Sequence, residues 1–576
     1  MSVLRLARVM QQPKCSSRCL STTKSDIFQN GMSLLVRAAE HARMGRILAY
    51  DTYGVKGNTD RKVAYSYHDI LSSSSHLHKY FKKIKKQKSV NDPPQRIAYL
   101  CPPGPQYIST QFACWSSGSI AVPLCISHRS KELAYVLKDC DPSLVIDGTS
   151  PASSEDLKIA AEEVGIIDRY QRLDDLMLGF DSKANNDNYA LGSNGDISSI
   201  DSAALIIHTS GTTGDPKGVV HSHRNIHHQV TDLVSSWAWS SDDAILHFLP
   251  LHHVHGIINK LACCIYAGGS VEFMKFDPVN IWKRLAESFR KSASNESPEE
   301  YERREPTVFM AVPTVYGKML EVAEAGLPEN IDGKECCSHL RLMVSGSAAL
   351  PAGIHRRWKK LTGHTILERY GMTEFAMALS NPLAPVEKRL PGYVGLPLPS
   401  VEVKIVSEDT GDIIPKETAQ SGELYVKGPT VFQEYWQKED ATRKSFDAEG
   451  FFKTGDVVEY DSVVDSYRVL GRLSADIIKS SGYKLSALEI ERELLEHPAL
   501  AEVVILGVPD EIKGERVALI CRLSSSHKRF ELKEVQAWCK ERIANYKIPS
   551  VMIVMESIPK NAMGKVSKKQ LVHLFQ

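Results

Sequence analysis

Residues 203–218 read AALIIHTSGTTGDPKG. The first six form an apolar run of strand length. The ten that follow hold three glycines (Gly211, Gly214, Gly218), four hydroxyl residues (Thr209, Ser210, Thr212, Thr213), then Asp215, Pro216 and Lys217. Glycines let backbone N–H groups approach an anion, hydroxyls add donors, and a lysine adds a point charge. The stretch therefore reads as a strand feeding a phosphate-cradling loop. No Gly-Lys-Ser/Thr follows at Walker A spacing, which disfavours a P-loop ATPase. Outward from this loop, short apolar runs recur at 96–104 (RIAYLCPPG), 120–124 (IAVPL), 143–147 (SLVID), 308–313 (VFMAVP) and 340–347 (LRLMVSGS). Between them lie helical patterns, such as Leu350, Ile354, Trp358 and Leu361 on one face, with Gly363 placed to end that helix. Strand–helix alternation predicts an α/β fold of mostly parallel sheets covered on both faces by helices.

Composition agrees. The chain has 576 residues, enough for several domains, and 70 Lys and Arg against 69 Asp and Glu leave a formal charge of +1. That balance argues against nucleic-acid binding by bulk charge and against a disordered charged chain. No run reaches the roughly 18 apolar residues of a membrane span. The 12 cysteines include the adjacent pairs Cys263-Cys264 and Cys336-Cys337 but no C-x-x-C, so they read as free thiols of a reducing compartment. Residues 1–25 carry Arg5, Arg8, Lys14, Arg18 and Lys24 before the first acid, Asp26. Basic, acid-free and without a long apolar centre, this segment reads as a mitochondrial transit peptide, which places the protein in the matrix.

Residues 182–196 and 291–305 are polar enough to be surface insertions. Past residue 400 the texture becomes β-rich, with VEVKIV (401–406) and GELYVKG (422–428). After Arg472 a small α+β unit is expected, opening with a capping box, Ser486-Ala-Leu-Glu489, ahead of a strand at 501–508. The expected domains are a leader (1–25), a large domain (26–471) and a small mobile C-terminal domain (472–576). Lys560, Lys568 and Lys569 give the end of the chain a basic character.

TSGTTGDPKG is followed in order by PLHHVHG (250–256), ERYGMTE (368–374), FKTGD (452–456), GR with SSGYKLSALEIE (within 471–491) and PKNAMGK (559–565). This ordered set resembles the signature elements of the acyl-adenylate-forming (ANL) superfamily, which includes acyl-CoA synthetases, luciferases and peptide-synthetase adenylation domains. The resemblance covers about residues 209–565 and implies that a carboxylate attacks the α-phosphorus of ATP and expels pyrophosphate. Both partners are anions, so catalysis is mainly positioning and charge neutralisation, and an ionised carboxylate needs no general base. It assigns residues 209–217 to the β- and γ-phosphates, Glu374 to Mg²⁺ and Thr373 to the vicinity of the α-phosphate. Tyr370 would stack on adenine, and Asp456 would accept from the ribose hydroxyls with Arg472 in support. Lys565 would reach the α-phosphate and the substrate carboxylate. The family's C-terminal unit rotates between half-reactions; here its usual acidic hinge position is occupied by Ser474.

The acceptor expected is free coenzyme A. PLHHVHG, LMVSGSAAL and LERYGMTE together resemble the malonyl-CoA synthetases of this superfamily. A dicarboxylic acid needs a cation for its second carboxylate, and Arg369 beside Tyr370 offers a bidentate guanidinium. Ser347 adds a hydroxyl and His253 a wall of the acyl pocket, whereas His252 replaces the aromatic residue usual there. The nine histidines from His208 to His255 lack the accompanying residues of a zinc site. The expected reaction joins malonate, or methylmalonate, to coenzyme A with release of AMP and pyrophosphate. A medium-chain fatty acyl-CoA synthetase and a catalytically silent ATP-binding protein are the alternatives; Glu374 and Lys565 argue against the second.

Overall fold

The computed structural model describes residues 33–51, 63–85, 94–150, 154–180, 199–209, 216–293, 304–327, 332–418, 420–481, 483–524, 527, 529–560 and 566–575. The leader, both insertions for the most part, the phosphate-loop tip (210–215) and Lys565 lie outside them. Two large sheets carry the main body. In the first, parallel strands Leu367–Tyr370, Leu342–Ser345, Val308–Ala311, Ala244–His247, Ser270–Phe273 and Ile47–Asp51 lie side by side. Their apolar residues are buried, which is why they read as continuous hydrophobic runs. Beyond Leu367–Tyr370 the same 13-stranded sheet turns antiparallel through Tyr393–Pro397, Ser466–Arg472 and Phe452–Asp461, the β-rich region of the sequence. The expected α/β architecture is thus present.

The second sheet has seven strands, and it shows what the glycine-rich loop connects. Ala203–His208 and Gly218–Ser222 pair antiparallel, His208 opposite Gly218, so the phosphate loop joins two arms of a hairpin. The helix begins only afterwards, at His223–Ser236, where Ser222 caps it by accepting from Asn225 N. Residues 221–228 (HSHRNIHH) are therefore a strand end, a cap and the start of that helix.

A five-stranded sheet follows, beginning with Ile477–Ser480 immediately after the large sheet's Ser466–Arg472 strand. Its Leu500–Asp510 and Gly514–Leu523 hairpin packs against helix Ala487–Leu494 around Ile490, Leu494, Ile505 and Leu519. Ser486 accepts from Glu489 N at 3.1 Å, but the Glu489 carboxylate takes two 2.8 Å bonds from Lys547 instead of returning to the cap. Only half of the predicted capping box forms. Among the described residues no helix is long and apolar enough to cross a membrane.

Candidate active site

A cleft of about 830 Å³ opens at the carboxyl ends of Leu342–Ser345 and Leu367–Tyr370, where open α/β sheets bind ligands. The Phe452–Asp461 and Ser466–Arg472 strands form one wall, and Glu491, Arg492 and residues 566–569 of the C-terminal unit close another. Thr209, Lys217, Ser347, Arg369, Tyr370, Thr373, Glu374, Asp456 and Arg472 all line it, so the structure brings together most of the residues singled out in sequence.

At the corner that holds Thr209 and Lys217, the neck of the glycine-rich loop is tied shut. Thr209 N donates to Lys217 O at 2.9 Å, and Lys217 N donates back to Thr209 Oγ1 at 3.2 Å. The Lys217 ammonium lies 4.7 Å from the centroid of the Tyr435 ring. The Tyr435 hydroxyl donates to Glu374 Oε1 at 2.8 Å. Burial pushes the Glu374 carboxyl above its ordinary value, and that hydrogen bond opposes the shift. No described Lys or Arg reaches ion-pair distance of Glu374, so a buried carboxylate at this corner remains available to a hard divalent cation. Behind it, His221 Nε2 donates to the Thr373 carbonyl at 2.8 Å; burial drives this imidazole down to about 4, so it is a neutral donor at neutral pH.

The corner that holds Asp456 is already bonded. Asp456 and Arg472 are cross-strand partners, and Arg472 Nε donates to Asp456 Oδ1 at 2.8 Å while the Tyr370 hydroxyl donates to Oδ2 at 2.6 Å. The carboxylate is thereby fixed as an acceptor, and burial and the nearby Asp456 raise the Tyr370 phenol far above its ordinary range. Tyr370 thus has a second role that the motif did not reveal.

A third corner of the cleft centres on Arg369. Its side chain is 5% exposed, and Nε and Nη2 have no hydrogen-bond partner. It forms no ion pair with Glu368 or Glu374; Glu368 instead accepts from Gly392 N at 2.8 Å. Gly346 makes room, since a Cβ there would lie 2.4 Å from Arg369 Nε. Burial lowers this guanidinium only to about 10, so it is charged at neutral pH. Nearby, Ser347 holds a positive φ of 69° and its hydroxyl lies 3.3 Å from His255 Nδ1. Ser345 Oγ and His255 Nε2 are likewise buried without partners. The His252 and His253 rings lie with centroids 3.9 Å apart and planes tilted by 54°, just ahead of the π-helix His255–Ala262. Burial, with His253 and His128 beside it, holds His252 far below the ordinary imidazole range, and burial with Arg369 and Lys260 does the same for His255, so both are neutral. Neither of them, nor His253, is among the residues that line the cleft. Among the described residues no group of three metal-ligating side chains occurs.

Several functional-looking residues escaped sequence reasoning. Tyr435 follows no recognised element. Lys568, read as part of a basic tail, is buried and binds Asp476 at 2.6 Å and Glu491 at 2.7 Å. Asp476 also accepts from Arg472 N at 2.9 Å, so two residues beyond Ser474 an acid does tie down the connector. Lys260 lies wholly buried in the π-helix. A charged residue within an apolar run was the one available sign of it.

The family model described as AMP-binding enzyme matches residues 58–436, and that of the AMP-binding enzyme C-terminal domain matches residues 489–565. A mitochondrial malonate–CoA ligase, ACSF3, of Xenopus laevis is 40% identical over 90% of this chain and 89% of its own. A malonate–CoA ligase of Arabidopsis thaliana is 41% identical over 88% of this chain and 84% of its own. Among solved structures, ATP-bound MatB from Rhodopseudomonas palustris superposes with a TM-score of 0.77 at 28% identity, covering 94% of this chain and all of that one. A malonyl-CoA ligase ternary product complex with methylmalonyl-CoA and AMP gives a TM-score of 0.58 at 30% identity, covering 90% of this chain and 98% of that one.

Proposed function

We propose that this chain, which belongs to the AMP-binding enzyme family, is an ATP-dependent malonate–CoA ligase. Malonate attacks the α-phosphorus of ATP, forming malonyl-adenylate and releasing pyrophosphate. The coenzyme A thiol then displaces AMP and loses its proton, giving malonyl-CoA. The observation that carries the choice of acid is Arg369: a charged, buried guanidinium with two unpaired donor nitrogens in the cleft. A desolvated cation without a counter-ion is costly, and a substrate's second carboxylate satisfies it bidentately. An aliphatic acid would leave it unpaired. Methylmalonate is a second acid of the same class, and the product complex of a related ligase holds its CoA ester.

In this reading Lys217 and the loop 209–217 hold the β- and γ-phosphates, and Thr373 lies at the α-phosphate. Tyr370 flanks adenine, and Asp456 with Arg472 takes the ribose. Glu374 holds Mg²⁺, which neutralises phosphate charge when bound. Ser347 lines the acid pocket, His253 would border it from outside the residues that line the cleft, and Lys565 supplies the cation for adenylation. The small unit after Arg472 would turn between the half-reactions, with the pivot in residues 472–476, and the basic leader would direct the chain to the mitochondrial matrix, as the names of several relatives suggest.

The test is pyrophosphate release with Mg-ATP and coenzyme A against acetate, malonate, methylmalonate, succinate and octanoate in parallel. Malonate-dependent release with octanoate near background is expected. Octanoate turnover with malonate silent would keep the enzyme class and overturn the acid.

A further inference from the structure

The segment 432–436 grips both halves of the corner that holds Lys217 and Glu374. Phe432 N donates to the Glu374 carbonyl at 2.7 Å, and Trp436 N donates to Gly218 O at 2.7 Å, on the outgoing arm of the phosphate loop. Tyr435 itself pairs with Val219 on that arm. Its side chain is 5% exposed and lines the cleft. Its two ends do different things: the hydroxyl binds Glu374 Oε1 at 2.8 Å, and the ring carries the Lys217 ammonium 4.7 Å from its centroid.

Lys217 and Glu374 sit on the same tyrosine, one over its ring and the other at its hydroxyl, and a lysine on a flexible stem is drawn to a buried carboxylate because opposite charges attract strongly away from bulk water. Lys217 and Glu374 do not form an ion pair. The aromatic ring offers the ammonium a face with negative charge density, and the phenol offers the carboxylate a neutral donor. We propose that Tyr435 is a positioning residue that keeps the phosphate-binding cation and the metal-binding carboxylate apart, so that each meets its own ligand. This inference rests on the ligase reading given above and concerns how its nucleotide site is preorganised. Ring and hydroxyl act separately, which makes the two functions separable by substitution.

The test uses the full chain, Mn²⁺ as the paramagnetic probe and ATP with and without the metal. Mn²⁺ binding in the presence of ATP is read by electron paramagnetic resonance, and metal-free ATP binding by calorimetry in chelator. Tyr435→Phe keeps the ring and loses the hydroxyl. It should weaken Mn²⁺ binding by about tenfold, the scale of one hydrogen bond to a charged group, and leave metal-free ATP affinity unchanged. Tyr435→Leu removes both parts and should weaken both ligands, as Lys217 closes onto Glu374. Adding Lys217→Met to Tyr435→Leu should then restore Mn²⁺ binding to the Tyr435→Phe level.

A residue needed only for folding would lower both affinities together in Tyr435→Phe and would not be rescued by the second substitution. Unchanged Mn²⁺ binding in Tyr435→Phe, or unchanged metal-free ATP affinity in Tyr435→Leu, overturns the role of Tyr435 and leaves the ligase reading standing. Failure of the unaltered chain to bind ATP under either condition removes the ligase reading, and this inference with it.

Discussion

Replacing Lys260 with methionine should make the protein more stable at neutral and acidic pH. Lys260 lies within the π-helix His255–Ala262 with no exposed surface. Its ammonium donates to the Met310 carbonyl at 3.0 Å and sits 4.4 Å from the centroid of the Phe248 ring. Among the described residues no carboxylate pairs with it. Burial brings its pKa from 10.5 to about 7. The unfolded chain therefore holds this proton up to about pH 10.5, whereas the folded chain releases it near pH 7. Between those values the unfolded state binds more protons, so stability rises with pH; below pH 7 the folded state carries the whole penalty. At about 1.36 kcal/mol per pH unit, that penalty is about 5 kcal/mol.

Methionine fills a similar volume without charge but removes the donor that Lys260 gives the Met310 carbonyl, a loss of about 1–3 kcal/mol. Lys260→Met should thus gain about 2–4 kcal/mol at pH 6 and lose about 1 kcal/mol or more at pH 10. The other groups facing Lys260 are silent across that window. His247 is held near 3, His255 far below its ordinary value, and the Cys264 thiol far above its own. Denaturant midpoints of both proteins between pH 6 and pH 10, compared at equal m, read the difference directly. A midpoint difference that stays constant over the range would show that Lys260 does not titrate there, and the reasoning would fail.

Two further outcomes concern catalysis. Lys565→Ala should abolish malonate-dependent pyrophosphate release yet largely spare thioester formation from supplied malonyl-adenylate; equal loss of both half-reactions would count against a rotating C-terminal unit. Asp456→Asn keeps the shape but gives Tyr370 and Arg472 a neutral partner, so the Michaelis constant for ATP should rise about tenfold or more. Its preference for ATP over 2′-deoxy-ATP should shrink at the same time, and a variant that keeps the full preference would remove Asp456 from the ribose.

The sequence was most legible where burial is two-sided. Parallel strands such as Leu342–Ser345 and Val308–Ala311 have to be apolar throughout, and they stand out as runs. The glycine-rich loop and the Tyr370, Glu374 and Asp456 elements stood out as short local motifs, and the structure gathers those three residues in one cleft. What stayed hidden depends on pairing at a distance. Nothing local distinguishes a loop leading into a helix from one closing a hairpin, so the antiparallel strand Gly218–Ser222 passed unnoticed. Tyr435 acquires its role from partners 61 residues away at Glu374 and far earlier at Lys217. Lys568 looked like a solvated charge because its carboxylate partners, Asp476 and Glu491, are brought to it only by the folded C-terminal sheet.

If Arg369 chooses the acid as proposed, selection works chiefly by rejection. A hydrophobic pocket that merely lacks a group distinguishes acids weakly, whereas a site built to pair a substrate's polar group discriminates strongly against an analogue without it. Arg369 is such a group: the strand end at Gly346 leaves it room, and none of the described side chains quenches it. Octanoate in the pocket would seal the guanidinium away from both water and any anion, and leaving one partner of a buried pair alone costs about 3–5 kcal/mol. Malonate over octanoate should therefore be favoured by about a hundredfold or more in kcat/KM. Arg369→Leu removes the stranded cation as well as the attraction, so malonate should fall and octanoate should rise. Arg369→Lys, which keeps charge but not the planar fork, should lower malonate use without admitting octanoate. If Arg369→Leu leaves the ratio of the two acids unchanged, Arg369 plays no part in choosing the substrate, and the neutral side chains around His255 would have to do so instead.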